Sequence, residues 1–284
     1  MIDEMLPSAT PVMDIAVEVA PLDRELDPRR FGNKAARLAH AAVAGLRIPP
    51  AEALSCAAVK ALINQEPALV SAIVRRARRL GPHVAVRSSA PSEDDVKASH
   101  AGLFKTVLQV PATRVSLTRA IRTVADSARG APMRAYGRTG QRAPAMAVLL
   151  QRMVPARSAG VAFTRDPVTG VDEILIESSW GLGDPLVSGR VVPDFFRVGS
   201  DGRVLESRLG SKKVGLLAQP SGGVRQVHPR RRGSSLTAGQ VNEVAELGRR
   251  CEAAFGFPSD LEWAYSAGGV LYLLQCRPIT TAVS

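Results

Sequence analysis

The chain is poor in aromatic residues, in acid and in cysteine, and it has no long apolar run. Phe, Trp and Tyr make up 4% of its 284 residues, and no apolar run reaches the ~18 residues a membrane-spanning helix needs. The opening MIDEMLPSATPVMD is acidic, with no basic stretch followed by an apolar one, so it is not expected to be a secretory signal. Cys56, Cys251 and Cys276 lie far apart, without metal-ligand spacing. Such a set reads as reduced thiols in a cytoplasmic protein. The four histidines, His40, His83, His100 and His228, form no zinc pattern. Asp and Glu number 26 against 37 Lys and Arg, a net charge of +11. No zinc finger, aromatic RNA-binding motif or helix-turn-helix pattern accompanies that excess, so a nucleic-acid partner is not expected. Charge alone speaks to solubility and non-specific binding. The cluster Arg75-Arg76-Ala77-Arg78-Arg79 continues a helical pattern with Leu69, Ile73 and Leu80 and reads as its solvated face. For that cluster and for Arg230-Arg231-Arg232, docking to an acidic partner domain is a better use than nucleic acid.

What remains is an ordinary globular composition, 45% apolar, long enough for one large domain or two lobes with ample core. The stretch Pro258 to Thr280, PSDLEWAYSAGGVLYLLQCRPIT, is the most informative. Two apolar, aromatic-containing runs flank Ser266-Ala267-Gly268-Gly269, the pattern of a β-hairpin. With Tyr265 and Val270 flanking a four-residue loop, positions summing to 535 face one another, so Asp260 stands opposite Gln275 and Glu262 opposite Leu273. Alternation puts Asp260, Glu262, Gln275 and Arg277 on one face, and Leu261, Trp263, Tyr272 and Leu274 on the other. Carboxylate and amide oxygens suit a hard cation such as Mg²⁺, and a guanidinium suits phosphate. A solvated face with a cross-strand ion pair is the plain alternative.

Three further stretches carry recognisable patterns: VAVRSSAPSEDDVKASHAGLFKTVLQV (84–110), AVLLQRMVPARSAGVAFTRDPVTG (147–170) and ESSWGLGDPLVSGRVVPDFFRV (177–198). FGNKAARLAHAAVAGLRIPP (31–50) is a weaker fifth. Together, in order and near the right spacing, they resemble the ATP-binding domain of the phosphoenolpyruvate synthase, pyruvate phosphate dikinase and rifampin phosphotransferase family. The resemblance runs from about Leu22 to Thr281. It implies an α+β, two-lobed ATP-grasp-like fold that holds ATP between its lobes.

The resemblance also implies roles. Glu262 and Gln275 are the Mg²⁺ ligands, with Asp260 a supporting or second metal contact. Arg277 is the γ-phosphate clamp. Arg87 grips phosphate; its alternative is to pin its own acidic loop through Glu93, Asp94 or Asp95. Ala98-Ser99-His100-Ala101-Gly102 is the loop over the triphosphate, with His100 where relatives have an aromatic residue. Lys34 reaches the phosphates from Gly32-Asn33-Lys34, where the family has Gly-Gly-Lys; an ordinary surface lysine is the alternative. Gln151, Met153 and Val154 form the segment whose backbone reads adenine beneath an apolar wall. Thr164 meets a phosphate or serves a turn through Asp166-Pro167. Asp184 meets the ribose where the family has Glu.

Read in order, the chain is expected to run as follows. A helix capped by Asp27-Pro28 carries Asn33 to Val43, and two more cover Ala51 to Gln65 and Pro67 to Leu80. Short strands lie at Val84–Val86 and Thr106–Val110, followed by a helix over Val115–Ala128. Gly130 to Pro144 is a hinge, which makes 1–145 an N-terminal lobe and 146–284 a C-terminal lobe. Strands at 147–150, 160–164, 173–178 and 195–198 follow, then a polar, basic, mobile segment (Arg208 to Ser235) and an amphipathic helix from Thr237 to Phe255. The family's swivelling domain with its catalytic histidine and its acceptor domain are not expected to fit in 284 residues, so the chain reads as the ATP-binding module alone: one subunit of a split system, a stand-alone kinase or an excised domain. The leading expectation is therefore an Mg-ATP-binding phosphotransferase module that passes a phosphoryl group to a histidine on a separate phosphohistidine-carrier domain or protein, yielding AMP and phosphate. A kinase or ligase acting directly on a small molecule and a non-catalytic nucleotide-binding scaffold are the alternatives.

Overall fold

The computed structural model describes residues 14–64, 66–91, 105–127, 146–229 and 233–279. Helices are α1 Ile15–Glu18, α2 Pro28–Val43, α3 Cys56–Ile63, α4 Pro67–Leu80, α5 Arg114–Ser127, α6 Asp184–Val187 and α7 Ala238–Phe255. Strands are β1 Val19–Pro21, β2 Ala51–Leu54, β3 His83–Ser89, β4 Thr106–Pro111, β5 Ala147–Arg152, β6 Ala156–Phe163, β7 Glu173–Trp180, β8 Asp194–Gly199, β9 Val204–Arg208, β10 Gly215–Ala218, β11 Val224–Val227, β12 Ser259–Ser266 and β13 Leu271–Pro278. A five-stranded sheet has the order β1-β2-β5-β3-β4, and a six-stranded sheet has the order β13-β12-β6-β7-β8-β9. This is the two-lobed α+β arrangement expected. The chain passes from the first sheet to the second between Arg152 and Ala156, after β5. The expected hinge, Gly130 to Pro144, lies outside the described residues.

Each sheet alternates between two environments. In the first, Leu54, Val84, Val86, Val148 and Leu150 pack with Leu62, Leu69, Ile73, Leu117 and Ile121 of α3, α4 and α5. On α4 the arginines occupy the outer side. Arg76 donates to Glu52 at 2.8 Å and Arg78 to the Ala112 carbonyl at 3.3 Å, so the cluster is a solvated helix face partly tied down. In the second sheet, Ile174, Ile176, Leu261, Trp263 and Tyr265 pack against Val241, Val244, Leu247 and Cys251 of α7. Helix α7 has a capping box between Thr237 and Gln240, and Gly256 ends it in the left-handed region at φ 71°.

Two expectations fail for a physical reason. Ala51 to Leu54, read as the start of a helix, is strand β2, buried between β1 and β5; the helix begins only at Cys56, capped by Ser55. Sheet pairing overrides the helical preference of an Ala-Glu-Ala-Leu run. Arg208 to Ser235, read as polar and without period, carries the β10–β11 hairpin. Its anchor is Asp194, fully buried, which accepts from the Gly210 and Ser235 amides, the Ser235 hydroxyl and Lys212. The tip of that hairpin reaches the other lobe: Gln109 of β4 donates to the Gln219 carbonyl at 2.9 Å, and the Gly223 amide donates to the Gln109 carbonyl at 2.8 Å.

Truncating one partner of a buried ion pair strands the other charge. Asp194→Ala should therefore lower the unfolding free energy by about 3–5 kcal/mol, against about 1 kcal/mol for Ser235→Ala. Urea denaturation of both variants checks the contrast.

Candidate nucleotide site

The hairpin β12–β13 forms the edge of the second sheet nearest the first lobe. Its loop is shorter than expected: the Ser266 amide bonds to the Val270 carbonyl at 2.9 Å, and Gly269 takes the left-handed position at φ 78°. Asp260 pairs with Arg277 and Glu262 with Gln275, but Trp263 pairs with Leu273. Paired positions sum to 537 before the irregularity and to 536 after it, not to 535. Leu274 is the extra residue of a β-bulge. The bulge leaves Asp260, Glu262, Gln275 and Arg277 on one face as expected, but it moves Tyr272 and Leu274 out of the Trp263 side. Leu273 packs with Leu261, Trp263 and Tyr265 instead, while Tyr272 and Leu274 pack against Val154, Ala159 and Ala264 on the interlobe side.

Across the cleft, β3 and β5 supply Arg87 and Gln151, which share a face because Arg87 pairs with Leu149 and Ala85 with Gln151. The Arg87 side chain is 8% exposed. Its Nη2 donates to Glu262 Oε2 at 2.8 Å and Gln275 Oε1 at 2.9 Å. Its Nη1 donates to the Leu274 carbonyl at 2.7 Å and Gln151 Oε1 at 3.1 Å. Arg87 Nε and Gln151 Nε2 are buried donors with no partner among the described residues. Beside them, Lys34 is 5% exposed and donates from Nζ to the Ser88 carbonyl at 3.1 Å, so it is not an ordinary surface lysine. Arg277 pairs with Asp260 through Nε and Nη2, both at 2.8 Å.

The site thus offers guanidinium and ammonium groups, unpaired buried donors, and carboxylate and amide oxygens on facing sheets. Among the described residues no three His, Cys, Asp or Glu side chains gather as a metal site. Glu262 and Gln275 nonetheless fit Mg²⁺ of the kind carried by a nucleotide, which takes one or two protein oxygens and draws the rest from phosphate and water.

Residues 66–284 match the family described as pyruvate phosphate dikinase, AMP/ATP-binding domain. The chain belongs to this family. It is 34% identical over 290 residues to the prodigiosin synthesizing transferase PigC of Serratia marcescens, a match covering 91% of this chain and 32% of that protein. It is 39% identical over 216 residues to a probable phosphoenolpyruvate synthase of Methanothermobacter thermautotrophicus, covering 74% of this chain and 31% of the relative. A rifampicin phosphotransferase of a Streptomyces species is 39% identical over 220 residues, covering 75% and 25%. The chain thus spans about a quarter to a third of the length of these relatives.

Against the pyruvate phosphate dikinase pattern, the Asn33 departure proves harmless to the backbone. Gly32, not Asn33, takes the left-handed angle (φ 77°), and a Cβ there would lie 1.8 Å from the Ser89 carbonyl. Asn33 instead ties the kink in α2 to the residues just after β3, through its amide to the Ala90 carbonyl at 3.2 Å and its side chain to the Pro91 carbonyl at 2.9 Å. Asp184 opens α6, half exposed, and is ion-paired with Arg190. Gln151 has its backbone in ladders with both β2 and β3. Its unsatisfied side-chain amide, rather than its backbone, is what it offers a ligand. Met153 and Val154 lie just beyond β5, and neither makes a backbone hydrogen bond among the described residues. Thr164 is buried on the α7 side, with its methyl group close to Gly248, and its hydroxyl accepts from the Ser259 amide at 2.8 Å. The hydroxyl is engaged in tying β6 to β12. Asp166 closes its own turn to Val168 and Thr169. Gly102, His100, Glu93, Asp94 and Asp95 lie outside the described residues.

Sequence reasoning passed over Glu177. It pairs with Val161, which pairs with Glu262, so one transverse row of the cleft face reads Gln275, Glu262, Val161, Glu177. Burial raises its carboxyl above the ordinary glutamate value. The signal was available in strand alternation, but only once the order of the strands is known.

Because the folded value of Glu177 is raised, its contribution to stability is fully present below the unfolded value and is lost as pH rises through the folded one. Glu177→Gln should therefore be more stable than the parent at neutral pH, and the gain should disappear below the ordinary glutamate range. Urea midpoints at the two pH values read the difference.

Proposed function

We propose that this chain binds Mg-ATP between its lobes and transfers a phosphoryl group from it to a histidine on a separate carrier domain, with AMP and phosphate as products. The observation that carries the reading is the convergence of Arg87 and Gln151 from one lobe with Glu262 and Gln275 from the other, with two buried donors left unpaired. In this reading Glu262 and Gln275 hold Mg²⁺, with Asp260 behind them. Arg277, Arg87 and Lys34 hold the phosphates. The open backbone of Met153 and Val154 meets adenine over the apolar patch of Val154, Ala264 and Tyr272. Asp184 reaches the ribose once it leaves Arg190. The bound metal supplies charge neutralisation. The chain's own residues fix the phosphates in line with the acceptor and stabilise charge on the transferred group, which is most of what phosphoryl transfer asks of a protein. The free thiols of Cys56, Cys251 and Cys276 accord with a cytoplasmic setting. Among the described residues no helix is long and apolar enough to cross a membrane.

A second reading, direct transfer to a small molecule, draws on relatives named for rifampicin and prodigiosin.

At ligand near one hundred times Kd, Mg-ATP should stabilise the fold by about 2.7 kcal/mol, a rise in Tm of roughly 5–10 °C for a chain of this size. The shift should need Mg²⁺ and disappear in Glu262→Ala. Absence of any shift in the parent at millimolar Mg-ATP contradicts the reading. With a histidine-bearing partner added, ADP as the sole nucleotide product would exclude the dikinase form and favour direct kinase chemistry.

A further inference from the structure

The oxygens assigned to the metal also serve as acceptors for Arg87. Glu262 Oε2 and Gln275 Oε1 both accept from the same nitrogen, Arg87 Nη2, at 2.8 and 2.9 Å. The other terminal nitrogen is held from both lobes, by the Gln151 amide oxygen and by the Leu274 carbonyl that the bulge leaves unpaired. Gln151 and Gln275 are 3% and 7% exposed, so the guanidinium is enclosed by its acceptors. A monovalent cation belonging to the protein thus takes the donor set of a divalent one. Resting on the reading above, we infer that Arg87 is a built-in surrogate for the metal, so that divalent cation enters this site only together with a nucleotide.

The physical argument is a comparison of exchanges. A bare divalent cation that binds Glu262 and Gln275 must take two of Arg87's four acceptors, its one charged partner included, without offering it an anion. It must also sit within a few ångströms of the displaced positive charge, in a partly desolvated cleft where such repulsion is strong. A cation arriving with phosphates brings the anion that Arg87 needs. The guanidinium then exchanges one carboxylate and three neutral oxygens for phosphate oxygens, a bidentate partner it matches well. Its unpaired Nε gains an acceptor in the same move. Metal and nucleotide are therefore positively coupled through one side chain, and the coupling is reciprocal.

The test is free Mn²⁺ binding to the full chain, read by electron paramagnetic resonance with and without a non-hydrolysable ATP analogue. The parent should bind Mn²⁺ alone at least about tenfold more weakly than Mn²⁺ with the analogue. Arg87→Met should bind Mn²⁺ alone about tenfold or more tightly than the parent while binding the metal–nucleotide less tightly, as removal of a like charge at close range requires. Equal or weaker Mn²⁺ affinity in a folded Arg87→Met chain overturns the inference and leaves the nucleotide site standing. Failure of the parent to bind Mn²⁺ with the analogue overturns the site itself. If Arg87→Met does not fold, ¹⁵N-arginine-labelled parent decides. Mn²⁺ alone should leave the slowly rotating Arg87 guanidinium signal intact, and Mn²⁺ with the analogue should shift and bleach it. Bleaching by Mn²⁺ alone at the same concentration overturns the surrogate role.

Discussion

A guanidinium buried between two sheets sets the terms for everything around it. Arg87 cannot lose its charge, and an unpartnered buried cation is far too costly to keep. Its surroundings must therefore supply oxygens from several directions, and they do: an amide from β5, an amide and a carboxylate from the hairpin, and a backbone carbonyl from the same hairpin. Only one of these partners, Glu262, is charged. The arrangement therefore holds the lobes together through oriented dipoles as much as through an ion pair, and dipoles from amide side chains can be re-aimed when a different cation or an anion arrives.

The Leu274 bulge makes that geometry available. In a regular ladder each carbonyl of β13 would bond β12 or point away in alternation. One extra residue frees the Leu274 carbonyl for Arg87 and shifts the pairing from Gln275 to Leu273 within one step of β12. The same irregularity divides the hairpin into two chemical halves. Before it, the interlobe face carries Asp260, Glu262, Gln275 and Arg277. After it, that face carries Ala264, Tyr272 and Leu274 against Val154. A polar half and an apolar half thus follow from a single inserted position.

Much of this was legible in the sequence, for identifiable reasons. Alternation put Asp260 with Glu262 and Gln275 with Arg277, since side-chain period on a strand needs no tertiary information; the two pairs share a face as expected because the shorter loop and the bulge each shift the pairing by one. Register did need it: a loop one residue shorter than assumed and a bulge at Leu274 each shift the pairing, and neither has a local signature. Ala51 to Leu54 looked helical because its residues favour helix, and only the strands on either side of it decide otherwise. The β10–β11 hairpin was invisible because its four-residue strands are too short to show a period and its anchor, Asp194, lies far off in sequence. Arg87 was expected to meet phosphate or to pin its own acidic loop. Its grip on Glu262 joins positions 175 residues apart and was beyond any local reading.

Opening the cleft requires more than releasing Arg87. The Gln109 contact with Gln219 and Gly223 also joins the lobes, as do the Arg250 donation to the Gly45 carbonyl at 3.0 Å and the Leu273 amide donation to the Arg47 carbonyl at 2.9 Å, all through groups that a nucleotide phosphate has no reason to disturb. Gln109 holds a left-handed backbone angle (φ 55°), uncommon for a residue with a Cβ, and the contact over-determines it. The Arg87 and Gln109 ties differ in kind. The central one consists of charge and oriented dipoles and responds to ligand charge. The peripheral one consists of neutral hydrogen bonds within a packed hairpin tip and responds to strain. A ligand that rewrites the first while leaving the second intact alters what lies between the lobes without separating them. The fold thus keeps the polar groups of both sheets facing one another through contacts that do not depend on Arg87.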